Sequence, residues 1–379
     1  MKRLFVILLG ALTLAGCGSG RADLFSLDAY DRIYTPSRAG GFDLYACGRS
    51  TILQVREPWQ GARGVEMLYF LSRGGEKAPD GFPGIVVEVP LRRVICMSST
   101  YVALLDTLGR DSCIVGVSGV QYISNPLIQS RFSRGEVRDV GYESGLNYEL
   151  LTELAPDVLF IYGVQGENSL VTDKVRELGV KVVYVGDYLE NSPLGKAEWL
   201  VATGEFFDRR PQAAAIYADI EKEYEEVRQL AQAAVSRPGV MLNAPWRDAW
   251  FVPGDRSYIV RLIDDAGGDY VCRGDDSDRS RPISSEEAYI LASKAQFWLS
   301  PGSANSLAEV MALNPKFGNI PAVRQGHVYN NNARQTPMGG SDFWESGTVA
   351  PQMVLKDLVR ILHPELLPDH ELYYFKRLE

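Results

Sequence analysis

Residues 93–109 read RVICMSSTYVALLDTLG, and this stretch decides the fold. Arg93-Val94-Ile95-Cys96-Met97 is a short, bounded apolar run that suits a buried strand. Ser98-Ser99-Thr100 follow, residue types that cap helix N-termini because their hydroxyls accept from free backbone N–H groups. Tyr101 to Leu108 then reads as a helix, stopped by Gly109. The pattern recurs downstream. Cys113 to Val117 is a second strand, Leu150 to Leu154 a helix, and Val158 to Tyr162 a third strand. Val171 to Leu178 is a helix closed by Gly179, and Lys181 to Val185 is a fourth strand. Short apolar strands alternating with short helices predict a parallel sheet covered on both faces.

A second unit of this kind follows. Val240 to Leu242, Phe297 to Leu299 and Gly326 to Tyr329 read as strands, with helices at Ile259 to Ala266 and Thr348 to Leu362. Between the units, a helix starting at Ser192-Pro193 runs through Trp199 and breaks near Gly204. Asp208 then caps a longer helix, Pro211 to Val235. Its ~25 residues would span about 38 Å. Ile216, Tyr217, Ile220, Tyr224 and Val227 make one apolar stripe. The expected fold class is α/β: two parallel-sheet lobes joined by a single long helix, with a ligand cleft where strand ends meet. Residues 30–90 add β character, with Leu53 to Arg56 and Met67 to Leu71 as strands and Gly74-Gly75 as a turn. The expected division is 1–16 signal, 17–29 tether, 30–191 first lobe with its added β segment, 192–237 helical linker and 238–379 second lobe.

The first residues carry an address. Lys2 and Arg3 precede an apolar run, Leu4 to Leu14, that ends in Leu14-Ala15-Gly16-Cys17. This is a secretory signal, and a Cys at the cut marks a bacterial lipoprotein lipidated on Cys17. Gly18-Ser19-Gly20 would be a flexible leash, placing the protein in the periplasm or cell envelope. No later segment approaches a membrane-spanning run of ~18 apolar residues. Net charge is −9, or −11 without Lys2 and Arg3 (37 basic against 48 acidic), and no dense basic stretch exists, which argues against nucleic acid as a partner. Cys47, Cys96, Cys113 and Cys272 are scattered, without a CxxC pair, and suit buried thiols or a disulfide. With only His327, His363 and His370, a multi-His metal site is disfavoured.

Several strings, in order, resemble the periplasmic substrate-binding proteins of ABC importers for iron complexes and cobalamin. Gly141-Tyr142-Glu143, Asn147 to Leu151 and Leu154 to Val158 look like that family's "G…NLE…L.PDLV" segment. Leu178 to Val182 looks like its "LGIKV", and Pro253-Gly254 through Gly267-Gly268 like its "SG…L…GG" helix. Ile283 to Glu287 looks like its "VSREQ". Ser341-Asp342-Phe343-Trp344-Glu345 resembles the cobalamin-binding member's "SDWFE". The resemblance spans about Arg92 to Leu362. The chain departs from the family where Ser99-Thr100-Tyr101 stand at a helix start that often carries Glu.

The resemblance implies a binding protein, not an enzyme, without a resident cofactor. It would work as a monomer, capture a metal chelate and deliver it to a membrane permease driven by a cytoplasmic ATPase. A ferric siderophore or haem is favoured, with cobalamin the alternative. Glu149 and Glu286 match the two family glutamates that dock on permease arginines; otherwise they are helix-start acids favoured by the dipole. Cleft candidates are Tyr142 and Tyr162 from the first lobe, and Trp246, Arg247 and Trp250 from the second. Asp342, Phe343 and Trp344 come from a later loop. Aromatic faces would stack on a flat chelate, or else these rings are core. Trp246 and Trp250 flank Arg247-Asp248, which argues against full burial. Arg281 and Arg334 would pair with ligand carboxylates or remain surface residues. An enzyme on the same scaffold lacks support from any phosphate loop, nucleophile elbow or Cys cluster. A surface adhesion lipoprotein would not need a cleft.

Overall fold

The computed structural model describes residues 25–164, 169–246 and 249–379. The signal segment with Cys17, and Arg247, lie outside the described residues.

An N-terminal sheet comes first. Its strands β1 (Arg32–Tyr34), β2 (Phe42–Cys47), β3 (Ser50–Arg56) and β4 (Glu66–Arg73) pair antiparallel in chain order, and β5 (Ile85–Val89) adds parallel to β4. The first lobe follows: β6 (Val94–Cys96), α1 (Ser99–Thr107), β7 (Ile114–Val117), α2 (Pro126–Ser133), β8 (Arg138–Asp139), α3 (Tyr148–Leu154), β9 (Val158–Ile161), α4 (Ser169–Glu177) and β10 (Lys181–Tyr184). All five strands are parallel, in the order β10-β9-β6-β7-β8. Every residue of β6, β7 and β9 is buried, so these strands are apolar throughout rather than alternating. Ser98 caps α1 by accepting from the Thr100 N–H, and Asn147 caps α3 from Leu150.

Two helices lead to the second lobe, α5 (Pro193–Glu205) and α6 (Arg210–Gln232). With 23 residues, α6 is about 34 Å long. Tyr217, Ile220, Tyr224 and Val227 form its buried stripe. Two details differ from expectation. Gly204 does not break a helix: it lies inside α5, where a Cβ would stand 2.7 Å from the Ala213 Cβ of α6. The glycine serves close helix–helix approach. Asp208 does not cap α6 either. It sits at φ 55, and its carboxylate takes Arg73 Nε at 2.6 Å.

The second lobe contains β11 (Gly239–Leu242), β12 (Pro245–Trp246), β13 (Ala249–Val252), α7 (Tyr258–Asp265), β14 (Asp269–Tyr270), β15 (Arg281–Ile283), α8 (Ser285–Ala292), β16 (Phe297–Leu299), α9 (Leu307–Leu313), α10 (Pro321–Gln325), β17 (Val328–Asn330), α11 (Pro351–Leu362) and β18 (Lys376–Arg377). Its main sheet runs β14-β11-β16-β17-β18, parallel except for β18. A small antiparallel sheet, β12-β13-β15, lies beside it. The fold is therefore α/β with two parallel-sheet lobes.

The N-terminal sheet is fastened to the first lobe by acids on and beside α5. Glu198 is fully buried and accepts from the backbone N–H groups of Ser37, Arg38 and Ala39 at 2.7–2.8 Å, and from the Tyr34 hydroxyl at 2.8 Å. Glu190 accepts from Gly40, Gly41 and the Trp199 indole. Glu205 accepts from Thr51 and Arg73 of the sheet and from Arg210 of α6. Buried carboxylates are tolerated when donors surround them in this way. Cys47, Cys96, Cys113 and Cys272 are free thiols.

Candidate ligand-binding cleft

Parallel sheets bind ligands beyond the carboxyl ends of their strands. In the first lobe those ends are rich in tyrosine. Tyr188 follows β10, Tyr162 follows β9, Tyr122 follows β7 and Tyr142 follows β8. The Tyr162 and Tyr188 rings meet edge to face with centroids 6.2 Å apart. Tyr142 accepts a hydrogen bond from Gln121 Nε2 at 3.0 Å and is nearly half exposed, as is Tyr122. Asp139, at the end of β8, holds the loops in place by accepting from the N–H groups of Gly119, Val120 and Gly141. Burial pushes the Tyr162 phenol up, with Glu143 and Tyr142 adding to the effect. Burial likewise pushes Tyr188 up to about 12. Both phenols stay neutral at physiological pH and offer ring faces and O–H groups rather than phenolates.

In the second lobe, two strands end on strained backbone. Asn243 after β11 has φ 63, and Ser300 after β16 has φ 55. Left-handed non-glycine residues cost about 1 kcal/mol or more each and cluster at ligand sites. They turn the chain away from the sheet and open a hollow of about 520 Å³, lined by Asn243, Trp246, Phe251, Ser300 and Leu313 among others. Trp246 is 66% exposed there.

The lobes also touch directly. Thr336 donates to the Gln121 carbonyl at 2.8 Å. Glu345 reaches from the second lobe to the N-terminus of α2, accepting from Ser124 N at 2.6 Å and Asn125 N at 2.8 Å. A Cβ at Gly340 would stand 2.1 Å from the Tyr122 carbonyl, so only glycine fits this approach. Glu345 is buried, and burial pushes its carboxyl up to about 7, Asp342 and Asp106 adding to the rise. Beside this junction lies a hollow of about 660 Å³ between Gln121, Ser124 and Gln129 of one lobe and Arg334, Met338 and Asp342 of the other.

The residues named from sequence fall into three groups. Tyr142, Tyr162 and Trp246 stand at strand ends. Arg334 and Asp342 line the hollow between the lobes, yet they pair with each other at 2.7 Å, and Arg334 also lies over the Tyr373 ring. The rest are elsewhere. Trp250 is a correction: it is fully buried, its indole donates to the Leu242 carbonyl, and it packs on Trp298 and Phe317. In β13 alternate side chains turn inward, so Trp250 is core and Phe251 is exposed. Phe343 is a second correction, buried against Phe375 and Tyr374. Trp344 is half exposed but lines none of these hollows. Arg281 lies in β15 and faces Glu287 at 3.8 Å, also outside the hollows. Glu149 and Glu286 are exposed in the first turns of α3 and α8. Sequence reasoning missed Tyr122 and Tyr188; their signal was an aromatic within five residues of the end of an apolar run. Among the described residues, no group of three His, Cys, Asp or Glu is placed to hold a metal ion.

The pattern of periplasmic binding proteins matches residues 94–334. An uncharacterised lipoprotein of Methanocaldococcus jannaschii is 29% identical over 310 residues, covering 79% of this chain and 71% of its own. A second from the same organism is 27% identical over 332 residues, covering 83% and 81%. Solved structures share the fold. A periplasmic binding protein of Veillonella parvula gives a TM-score of 0.59 at 17% identity, covering 84% of this chain and 99% of that one. A periplasmic heme-binding protein of Pseudomonas aeruginosa gives 0.55 at 20% identity, covering 73% and 94%. A periplasmic vitamin B12-binding protein of Vibrio cholerae gives 0.51 at 14% identity, covering 72% and 97%.

Proposed function

Because the chain belongs to the periplasmic binding protein family, we propose that it is the lipid-anchored capture component of an ABC importer, taking up an iron chelate and handing it to the permease. The observation that carries this reading is the aromatic row at the carboxyl ends of the first sheet, with exposed Trp246 at the end of the second. Rings at strand ends suit the broad apolar faces of a porphyrin or an aryl-rich siderophore. Neutral phenols suit a complete chelate, whose iron is already coordinated, better than a bare cation needing charged ligands. Family membership and the lipoprotein relatives support capture outside the cytoplasm and delivery to a permease. Glu149 and Glu286, exposed on different lobes, suit a two-point contact with basic permease residues.

The string that suggested cobalamin has another explanation. Within Ser341 to Glu345, Phe343 is core, Asp342 pairs with Arg334, and Glu345 joins the lobes. Phe343 and Glu345 work for the scaffold and Asp342, though it lines the hollow between the lobes, is held by Arg334, so the string gives a corrinoid no advantage over an iron complex. The test is calorimetric titration of the whole chain, purified in detergent, with haem, cyanocobalamin, a ferric hydroxamate and a ferric catecholate. Saturable one-to-one binding of an iron chelate supports the proposal. Binding of cyanocobalamin alone would replace the iron reading, and no binding at all would end the chelate reading.

A further inference from the structure

The N-terminal sheet does more than cover the first lobe. Its loop between β3 and β4 lies across the ligand-binding end of the first parallel sheet. Gln60 N donates to the carbonyl of Gly163, just beyond β9, at 2.9 Å. Gly163 N in turn donates to the Tyr188 hydroxyl at 3.1 Å. The Trp59 ring packs on Tyr184, the last residue of β10, with centroids 5.3 Å apart. Glu57 N bonds to the Val65 carbonyl and Ala62 N to the Trp59 carbonyl, so the loop is closed on itself and holds a defined shape.

Beneath this loop lies a cavity of about 910 Å³, larger than either hollow described above. That volume is near the top of the usual range for small-molecule sites, about 300–1,000 Å³. Three bodies wall it. The sheet loop contributes Trp59 and Arg63, the first lobe contributes Tyr188, and the second lobe contributes Asp278 and Arg279. Tyr188, whose ring meets that of Tyr162, belongs to both this cavity and the tyrosine row. Arg56 and Glu190 also line it but are engaged elsewhere, by Asp43 and by Gly40 and Gly41. Arg63 and Arg279 have no carboxylate within 4 Å among the described residues.

We propose that the loop from Glu57 to Val65 is a third wall of the ligand cleft, with Trp59 as a ligand-contacting and specificity-determining residue. The inference rests on the reading that the cleft takes a bulky metal chelate. Trp59 and Tyr188 then form an aromatic corner that meets one edge of the chelate, and Arg63 and Arg279 approach its acidic substituents from opposite sides. A two-lobed binder without this loop would leave that edge in water.

The test uses the whole chain in detergent, titrated by calorimetry with haem, cyanocobalamin, a ferric hydroxamate and a ferric catecholate. Thermal unfolding checks that each variant is folded. Trp59→Ala should weaken binding of the chelate that the unmodified protein takes by about tenfold or more, the cost of losing an aromatic anchor. A folded Trp59→Ala protein with unchanged affinity overturns the inference while leaving the chelate reading intact. If Trp59→Ala does not fold, Arg63→Glu decides, because Arg63 is exposed and makes no ion pair among the described residues. Its affinity should fall by about threefold or more for a chelate bearing carboxylates or other acidic groups; an unchanged affinity overturns the inference. If the unmodified protein binds none of the four compounds, the chelate reading fails and this inference fails with it.

Discussion

Glu345 should make stability depend on pH in a predictable direction. Its carboxylate enters the junction between the lobes, accepts from the two backbone N–H groups of Ser124 and Asn125 just before α2, and is almost fully removed from water. Burial wins over these donors, and the carboxyl is pushed from 4.5 up to about 7. The folded protein therefore holds this proton more tightly than the unfolded chain. The stabilisation is complete below the unfolded value and is lost as pH rises through about 7. A rise of about 2.5 units, at about 1.4 kcal/mol per unit, amounts to roughly 3 kcal/mol. Glu345→Gln keeps the shape and one acceptor but cannot titrate. Urea unfolding of both proteins, followed by tryptophan fluorescence, should be measured from about pH 4.5 to about pH 8. The unmodified protein should lose about 3 kcal/mol relative to the variant across that range. Asp187, buried and pushed up to about 6, titrates in the same direction, but it does so in both proteins and cancels in the difference. Parallel profiles would refute the reasoning, and so would a relative gain in stability of the unmodified protein as pH rises.

Three further outcomes are expected. Glu198→Ala strips the acceptor from three backbone N–H groups and the Tyr34 phenol, and should cost on the order of 3–5 kcal/mol in denaturant unfolding; a loss under about 1 kcal/mol would contradict the clamp. Trp250→Ala should cost about 3–5 kcal/mol as a core cavity, whereas Trp246→Ala, at an exposed position, should leave the thermal midpoint nearly unchanged and weaken chelate binding; the reverse pattern would overturn the assignment of core and cleft. Glu149→Ala combined with Glu286→Ala should abolish transport in reconstituted vesicles while calorimetric binding stays intact, and normal transport would dismiss both as docking residues.

The parallel sheets were legible because their central strands are buried on both faces. Val158 to Ile161 and Ile114 to Val117 have no polar side to show, so they stand out as unbroken apolar runs. The small sheet β12-β13-β15 was not legible, since strands of two to four residues carry too little pattern. Gly204 misled because a glycine in a helix signals either a stop or a close contact, and only the position of Ala213 separates the two. The site was harder still. Trp250 and Phe251 are neighbours of similar chemistry, and strand register alone sends one inward and the other out. Phe343 and Glu345 stand in a motif-like string, but their work depends on Phe375 and on Ser124, far away in the chain.

The clamp around Glu198 also bears on how the chain matures. The backbone groups of Ser37 to Ala39 wait for an acceptor that lies 159–161 positions later. The part synthesised first thus cannot be finished until more than half of the polypeptide has appeared. Contacts that span so much sequence carry a large loop-closure cost and tend to form late in folding.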